Sequence, residues 1–338
     1  MAKLRYIDAL AQGIREEMRV DESVFLVGEE VAQYQGTLEL SKGFLEEFGP
    51  LRVVDTPISE VGIIGLGIGA AMAGLRPICE MMRLDFATPA FDQIVQHAAK
   101  IRYMFGGQFQ VPMVIRGPSG VGLQLSAQHS QALETTFAHF PGLKVVVPAT
   151  PADAKGLMKT AIRDNNPVVV AESLRMYMVK PEILEKIQPG LSEVPDDPDF
   201  SVPFGQANVL REGKDVTIVA YSWMTIKALE AANILAKDGI FAEVIDLRTL
   251  TPLDMATPLA SIKKTHRAVV VQEQWGLYGA SAEISAQLAE RGFYDLDAPV
   301  QRVTGAFVPM PYAKNLESLA FANEHDIVAA VRRTLGGK

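Results

Sequence analysis

Asp55-Thr-Pro-Ile-Ser-Glu60, the small-residue run Val61 to Gly74, and Arg76-Pro-Ile-Cys-Glu80 together decide how this chain is read. A strand-like segment, Arg52 to Asp55, gives way to a helix at Ser59, a residue type suited to an N-cap. Glu60 then falls in the first helical turn, where the macrodipole favours a carboxylate. The helix that follows contains Gly65, Gly67, Gly69, Ala70, Ala71, Ala73 and Gly74. Interior glycines each cost a helix roughly 1 kcal/mol relative to alanine. That cost fits a backbone that a partner helix or a ligand must approach closely. The plain alternative for Glu60 is a residue that only complements the helix dipole.

Outward from this stretch, apolar β-branched runs alternate with helical periodicity. Residues 5 to 20 place Ile7, Leu10, Ile14 and Met18 on one helix face, and Val24 to Gly28 reads as a buried strand. Strands are expected at Pro77 to Met82, Val111 to Arg116, Lys144 to Pro148 and Pro167 to Glu172. Helices are expected at Phe91 to Phe105, from Gln131 to Phe137, and at Pro151 to Arg163. This alternation is the mark of a doubly wound parallel α/β sheet. Prolines at 181, 189, 195, 198 and 203, with Asp196, Asp197 and Asp199, read as an inter-domain linker. Beyond it the alternation resumes, from Val216 to a last helix near His325. The expected division is a first domain at 1–185, a linker at 186–203 and a smaller α/β domain at 204–338.

The 338 residues are 48% hydrophobic, enough for two buried cores. A net charge of −8 and a pI near 5.3 argue against a nucleic-acid or anionic-membrane partner. The single cysteine, Cys79, rules out an intrachain disulfide framework and fits a reducing compartment. No apolar run reaches the roughly 20 residues of a membrane span, and the opening residues carry no signal or transit pattern. A cytoplasmic location is the expectation.

Gly65-x-Gly67-x-x-Ala70 has the spacing of a dinucleotide fingerprint, but its glycines fall inside a helix already begun rather than in a turn after a strand. Gly117 to Gly122 has P-loop spacing without the following lysine. His129 stands in the polar cluster Ser126-Ala-Gln-His-Ser-Gln131, on a loop leaving the sheet, where open α/β folds keep their sites; one structural hydrogen bond is the alternative. His139, beside Phe137 and Phe140, reads as packed; His266 and His325 read as surface residues. Phe86 is either core or a ring facing a ligand. No histidine or cysteine cluster has metal-ligand spacing.

Asp55 to Glu60, Phe91-Asp-Gln-Ile94, Ala98 to Met104, Ala127-Gln-His-Ser-Gln131, Pro141 to Val146, Asp153 to Leu157 and Ile162 to Pro167 occur in one order. Asp246 to Pro252 and Pro309-Met-Pro-Tyr312 continue the series. Together they closely resemble the β subunits of the thiamine diphosphate-dependent E1 components of 2-oxo acid dehydrogenase complexes, most nearly the pyruvate type. The resemblance implies a transketolase-like pair of domains, the first binding the cofactor's pyrimidine. It implies that Glu60 hydrogen-bonds the aminopyrimidine and helps activate the thiazolium, and that Phe86 packs on the pyrimidine. It implies that His129 serves proton transfer or guides the lipoyl group. It also implies that Met113, Ala161, Ile162, Asp164 and Asn166 lie where some members bind structural K⁺, largely through carbonyls.

The family grips Mg²⁺ and diphosphate with a Gly-Asp-Gly segment, and this chain has none. A diphosphate needs a metal and donors to neutralise it. The implied arrangement is half a site, completed by an E1 α subunit in an α2β2 heterotetramer, with a dihydrolipoyl acetyltransferase E2 as the downstream partner. Acetoin or branched-chain 2-oxo acids are the alternative substrates, and a non-catalytic scaffold or an NAD-binding dehydrogenase are the readings from other classes.

Overall fold

A computed structural model describes residues 1–336. The N-terminal strand β1 (Ala2–Lys3) leads into the Tyr6–Val20 helix. Then follow β2 (Val24–Gly28), β3 (Val53–Asp55), the Glu60–Met72 helix, β4 (Arg76–Glu80), β5 (Val114–Ser119), β6 (Lys144–Val146) and β7 (Val168–Ser173). Their order in space is β6-β7-β5-β4-β2-β3, all parallel, with helices on both faces. Ile7, Leu10, Ile14 and Met18 are buried as their spacing predicts, and the helix they line packs on the Pro151–Arg163 helix. Glu16 joins these two helices through Lys155 Nζ at 2.8 Å and Lys159 Nζ at 2.6 Å. On the other face the Glu60–Met72 helix lies against β4, burying Ile63, Ile64, Gly67, Ile68 and Ala71.

The second domain contains β9 (Asn208–Arg211), β10 (Val216–Ala220), β11 (Ala242–Asp246), β13 (Ala268–Trp275) and β14 (Gln301–Gly305), in the order β14-β13-β10-β11-β9 with only β9 antiparallel. The two domains are stitched together. A short strand of the second, β12 (Thr249–Thr251), adds antiparallel to β6 and completes the first domain's sheet. Beside it, Arg248 meets Asp153 of the first domain at 2.8 Å.

The proline-rich segment between the domains carries structure of its own: Pro181 opens a helix to Ile187, where its missing N–H costs nothing, and β8 (Glu193–Val194) pairs with β1. Three expectations need correction. The Phe91–Phe105 helix is broken into a wide π turn at Gln93–Ala98 and a short helix at Ile101–Met104. Ala99 N–H reaches back to Ile94 O at 3.0 Å there, and a Cβ on Gly142 would come within 2.0 Å of Ala99 O, so another backbone crowds this turn. β5 runs through Gly117 to Ser119, so half of the supposed glycine loop is strand; a Cβ on Gly117 would meet Met81 O at 2.5 Å. Ser59 occupies the N-cap position, but its hydroxyl makes no capping hydrogen bond. The glycines of the dinucleotide-like spacing do lie inside a helix, as expected.

Candidate active site

The chain leaves β2 for β3 on one side and then crosses to β4 on the other, so β2 is the point where strand order reverses. Open α/β sheets bind ligands outside the carboxyl ends of the strands at such a point. Four segments emerge there side by side: Glu29 after β2, Glu60 after β3, Phe86 after β4 and His129 after β5. Asp55, ending β3, accepts from the N–H groups of Ala32 at 2.6 Å and Gln33 at 3.0 Å, and so fixes the loop behind Glu29.

Glu60 sits half-buried in the first turn of its helix. Glu29 is buried beside it, and burial together with the Glu60 charge raises the Glu29 pKa. Glu29 Oε1 has no hydrogen-bond partner in the protein. A buried carboxylate oxygen without a donor is uncommon and points to a group supplied from outside. Across the site, the Phe86 ring is half-buried and meets the exposed His129 ring edge-on, centroids 4.9 Å apart at 85°. Phe86 therefore stands at the boundary of core and site.

Residues 2–180 match the transketolase pyrimidine-binding domain, and residues 205–327 the transketolase C-terminal domain. The chain is 49% identical over 326 residues to the pyruvate dehydrogenase E1 component subunit β of Rickettsia felis, covering 96% of each chain. It is also 49% identical to the human mitochondrial pyruvate dehydrogenase E1 component subunit β, covering 97% of this chain and 89% of that one. The chain belongs to the pyruvate dehydrogenase E1 β-subunit family. A solved split-gene transketolase, described as an inactive β4 tetramer, superimposes with a TM-score of 0.76 at 26% identity over 99% of each chain.

In this E1 β-family chain the loop carrying His129 is braced from beneath. Arg83 Nε donates to Asp85 Oδ2 at 2.9 Å, and Arg83 Nη2 donates to Gly120 O at 3.1 Å. Asp85 Oδ1 in turn accepts from Gln131 N–H at 2.9 Å. Both side chains are buried, and burial raises the Asp85 pKa against the pull of Arg83. Glu134, one turn beyond the loop, is buried with Tyr221 Oη donating to it at 3.2 Å, and burial pushes its pKa up to about 7. From the second domain, Gln274 accepts from Ala132 N–H at 2.6 Å and donates to Ser130 O at 2.9 Å. Glu317 accepts from Gly122 N–H at 3.2 Å and Gln124 N–H at 2.9 Å.

A second charged group lies within the sheet. Arg116 of β5, wholly buried, pairs with Glu80 of β4 and Glu172 of β7 and donates to Tyr177 Oη at 2.8 Å. One cation between two carboxylates fixes three strands beneath the site.

Sequence reasoning foresaw none of Glu29, Asp85, Glu134, Gln274 and Arg116 as site or support residues. The acidic pair Glu29-Glu30 at a strand's carboxyl end was the one signal available. His139 is not packed as expected: it is exposed, edge-on to Phe140 at 5.6 Å, on a groove of about 960 Å³ between the domains. Cys79 is buried and its thiol is pushed up to about 12, which makes it inert.

Met113, Ala161, Ile162, Asp164 and Asn166 lie at the amino ends of β5 and β7, a full strand length from Glu60. Arg76 Nη1 donates to the carbonyls of Ile162 and Asp164, both at 3.0 Å, while Met113 O accepts from Val168 N–H at 3.0 Å. Among the described residues, no three His, Cys, Asp or Glu side chains converge to hold a metal ion, and no helix is long and apolar enough to cross a membrane.

Proposed function

We propose that this chain is the pyrimidine-binding subunit of an E1 heterotetramer that decarboxylates pyruvate oxidatively and passes the acetyl group to the lipoyl arm of a dihydrolipoyl acetyltransferase. The observation that carries this is the meeting of Glu60, Glu29, Phe86 and His129 at the carboxyl ends of β3, β2, β4 and β5. The name shared by relatives at 49% identity favours pyruvate over acetoin and branched-chain 2-oxo acids.

Thiamine diphosphate supplies, when bound, a nucleophilic carbon for attack on the 2-oxo carbonyl. The residues present fit its aminopyrimidine end: Glu60 as carboxylate, Glu29 with an oxygen lacking a donor, and Phe86 offering a ring face. Glu60 holds and releases a proton at its carboxyl oxygen. Burial, and with it the charge of Glu60 alongside, raises the Glu29 pKa. Phe86 orients the pyrimidine and keeps water from its face. His129 exchanges a proton at a ring nitrogen or steers the lipoyl group.

Mg²⁺ and the diphosphate fall to the α subunit, since no Gly-Asp-Gly segment is present. K⁺, in a structural role, would be held by backbone carbonyls of the Met113, Ala161, Ile162, Asp164 and Asn166 cluster, where Arg76 already donates to the carbonyls of Ile162 and Asp164. The single buried cysteine suits work in a reducing, cytoplasm-like compartment.

Glu60→Gln tests the assignment. It keeps volume and hydrogen bonding but cannot exchange a proton, so turnover falls by about 10² or more with the heterotetramer intact. Unchanged turnover would remove Glu60 from the chemistry.

A further inference from the structure

The loop that carries His129 belongs to the first domain, yet the second domain holds its backbone. Gln274, near the end of β13 and 1% exposed, uses both ends of its amide on that loop. Its Oε1 accepts from Ala132 N–H at 2.6 Å, and its Nε2 donates to Ser130 O at 2.9 Å. Between these two contacts, Gln131 N–H donates to Asp85 and Gln131 O accepts from Gly120 N–H at 3.2 Å. The three residues directly after His129 are thus fixed by side chains from both domains. The imidazole itself is exposed, and its ring packs edge-on against Phe86. Its place is therefore set by the backbone that Gln274 grips.

We propose that Gln274 is a positioning residue for His129, through which the second domain sets the imidazole against Phe86. This rests on the assignment of His129 to the active site. An amide is suited to the task because it presents an acceptor and a donor together at any pH. Ionised glutamate keeps the acceptor but turns a second oxygen toward the Ser130 carbonyl. Methionine keeps the volume and loses both bonds. A misplacement on the order of 1 Å at a reacting group costs about 10²-fold in rate.

The test is a double-mutant cycle in the assembled α/β enzyme, with His129→Ala, Gln274→Met, the pair together, and Gln274→Glu. Thermal unfolding and assembly state are recorded for each. Gln274→Met is expected to lower kcat by about 10- to 100-fold with little change in KM, in the same partial reaction that His129→Ala impairs. Combined, the two should cost no more than His129→Ala alone. Gln274→Glu should regain activity as pH falls, because a protonated carboxyl can donate to Ser130 O again. Full activity of Gln274→Met beside an impaired His129→Ala, or additive losses in the pair, overturns the proposal and leaves His129 in its role. A fully active His129→Ala removes both. Should Gln274→Met fail to assemble, Gln274→Glu decides: a pH profile parallel to the unmodified enzyme's contradicts the proposal.

Discussion

Glu134 carries a carboxyl buried without a cation, its pKa raised from 4.5 to about 7 by burial. Between those pH values the folded chain binds a proton more readily than the unfolded chain does, so stability is lost as pH rises through that window. The full difference is worth about 3 kcal/mol for this group. Glu134→Gln keeps an oxygen to accept from Tyr221 and removes the charge, so its stability should fall less than the unmodified protein's between pH 5 and 8. Urea unfolding at both pH values checks this, and parallel pH dependences would contradict it. At this scale the sequence was readable where chemistry depends on local position. Glu60 at a helix start and His129 in a polar loop stand out as candidates by position alone. Glu29, Asp85 and Gln274 do not, because their significance lies in partners 31, 46 and 142 or more positions away: Glu60, Gln131 and Ala132.

The Glu60–Met72 helix presents two kinds of glycine. Gly67 faces the sheet, where a Cβ would lie 2.4 Å from Cys79 Sγ and 3.0 Å from Met113 Cε. Gly67→Ala should destabilise the chain by about 1–3 kcal/mol through overpacking. Gly69 has nothing within 4 Å of a Cβ, and Ile58, Val61 and Leu66 are exposed along the same segment. Gly69→Ala should stabilise the isolated chain by about 1 kcal/mol through helix propensity and weaken association with the α subunit. Thermal melts of the chain alone, set against sedimentation of the assembly, separate the two effects. Equal effects of both substitutions in the chain alone would contradict this division of faces. Long periodic elements such as Tyr6–Val20 and Pro151–Arg163 could be read from spacing alone. The π turn at Gln93–Ala98 and the extension of β5 through Gly117 could not, since each follows from a backbone packed against it from elsewhere in the chain.

On the scale of the whole molecule, β12 crossing into the first sheet and Gln274 gripping the His129 loop make the two domains one working unit. The proline-rich segment gave no hint of this, because strand exchange between domains leaves no periodic trace in three residues. What the sequence does carry at this scale is the ordered family motifs and the missing Gly-Asp-Gly segment, and the latter underlies the proposed division of the active site between two chains. The most direct measurement is pyruvate-dependent dye reduction with thiamine diphosphate and Mg²⁺, by this chain with and without a matching E1 α subunit. Activity that appears only with the α subunit is the predicted result. Activity from this chain alone, or none from a correctly assembled heterotetramer, would contradict the shared pyruvate-decarboxylating site.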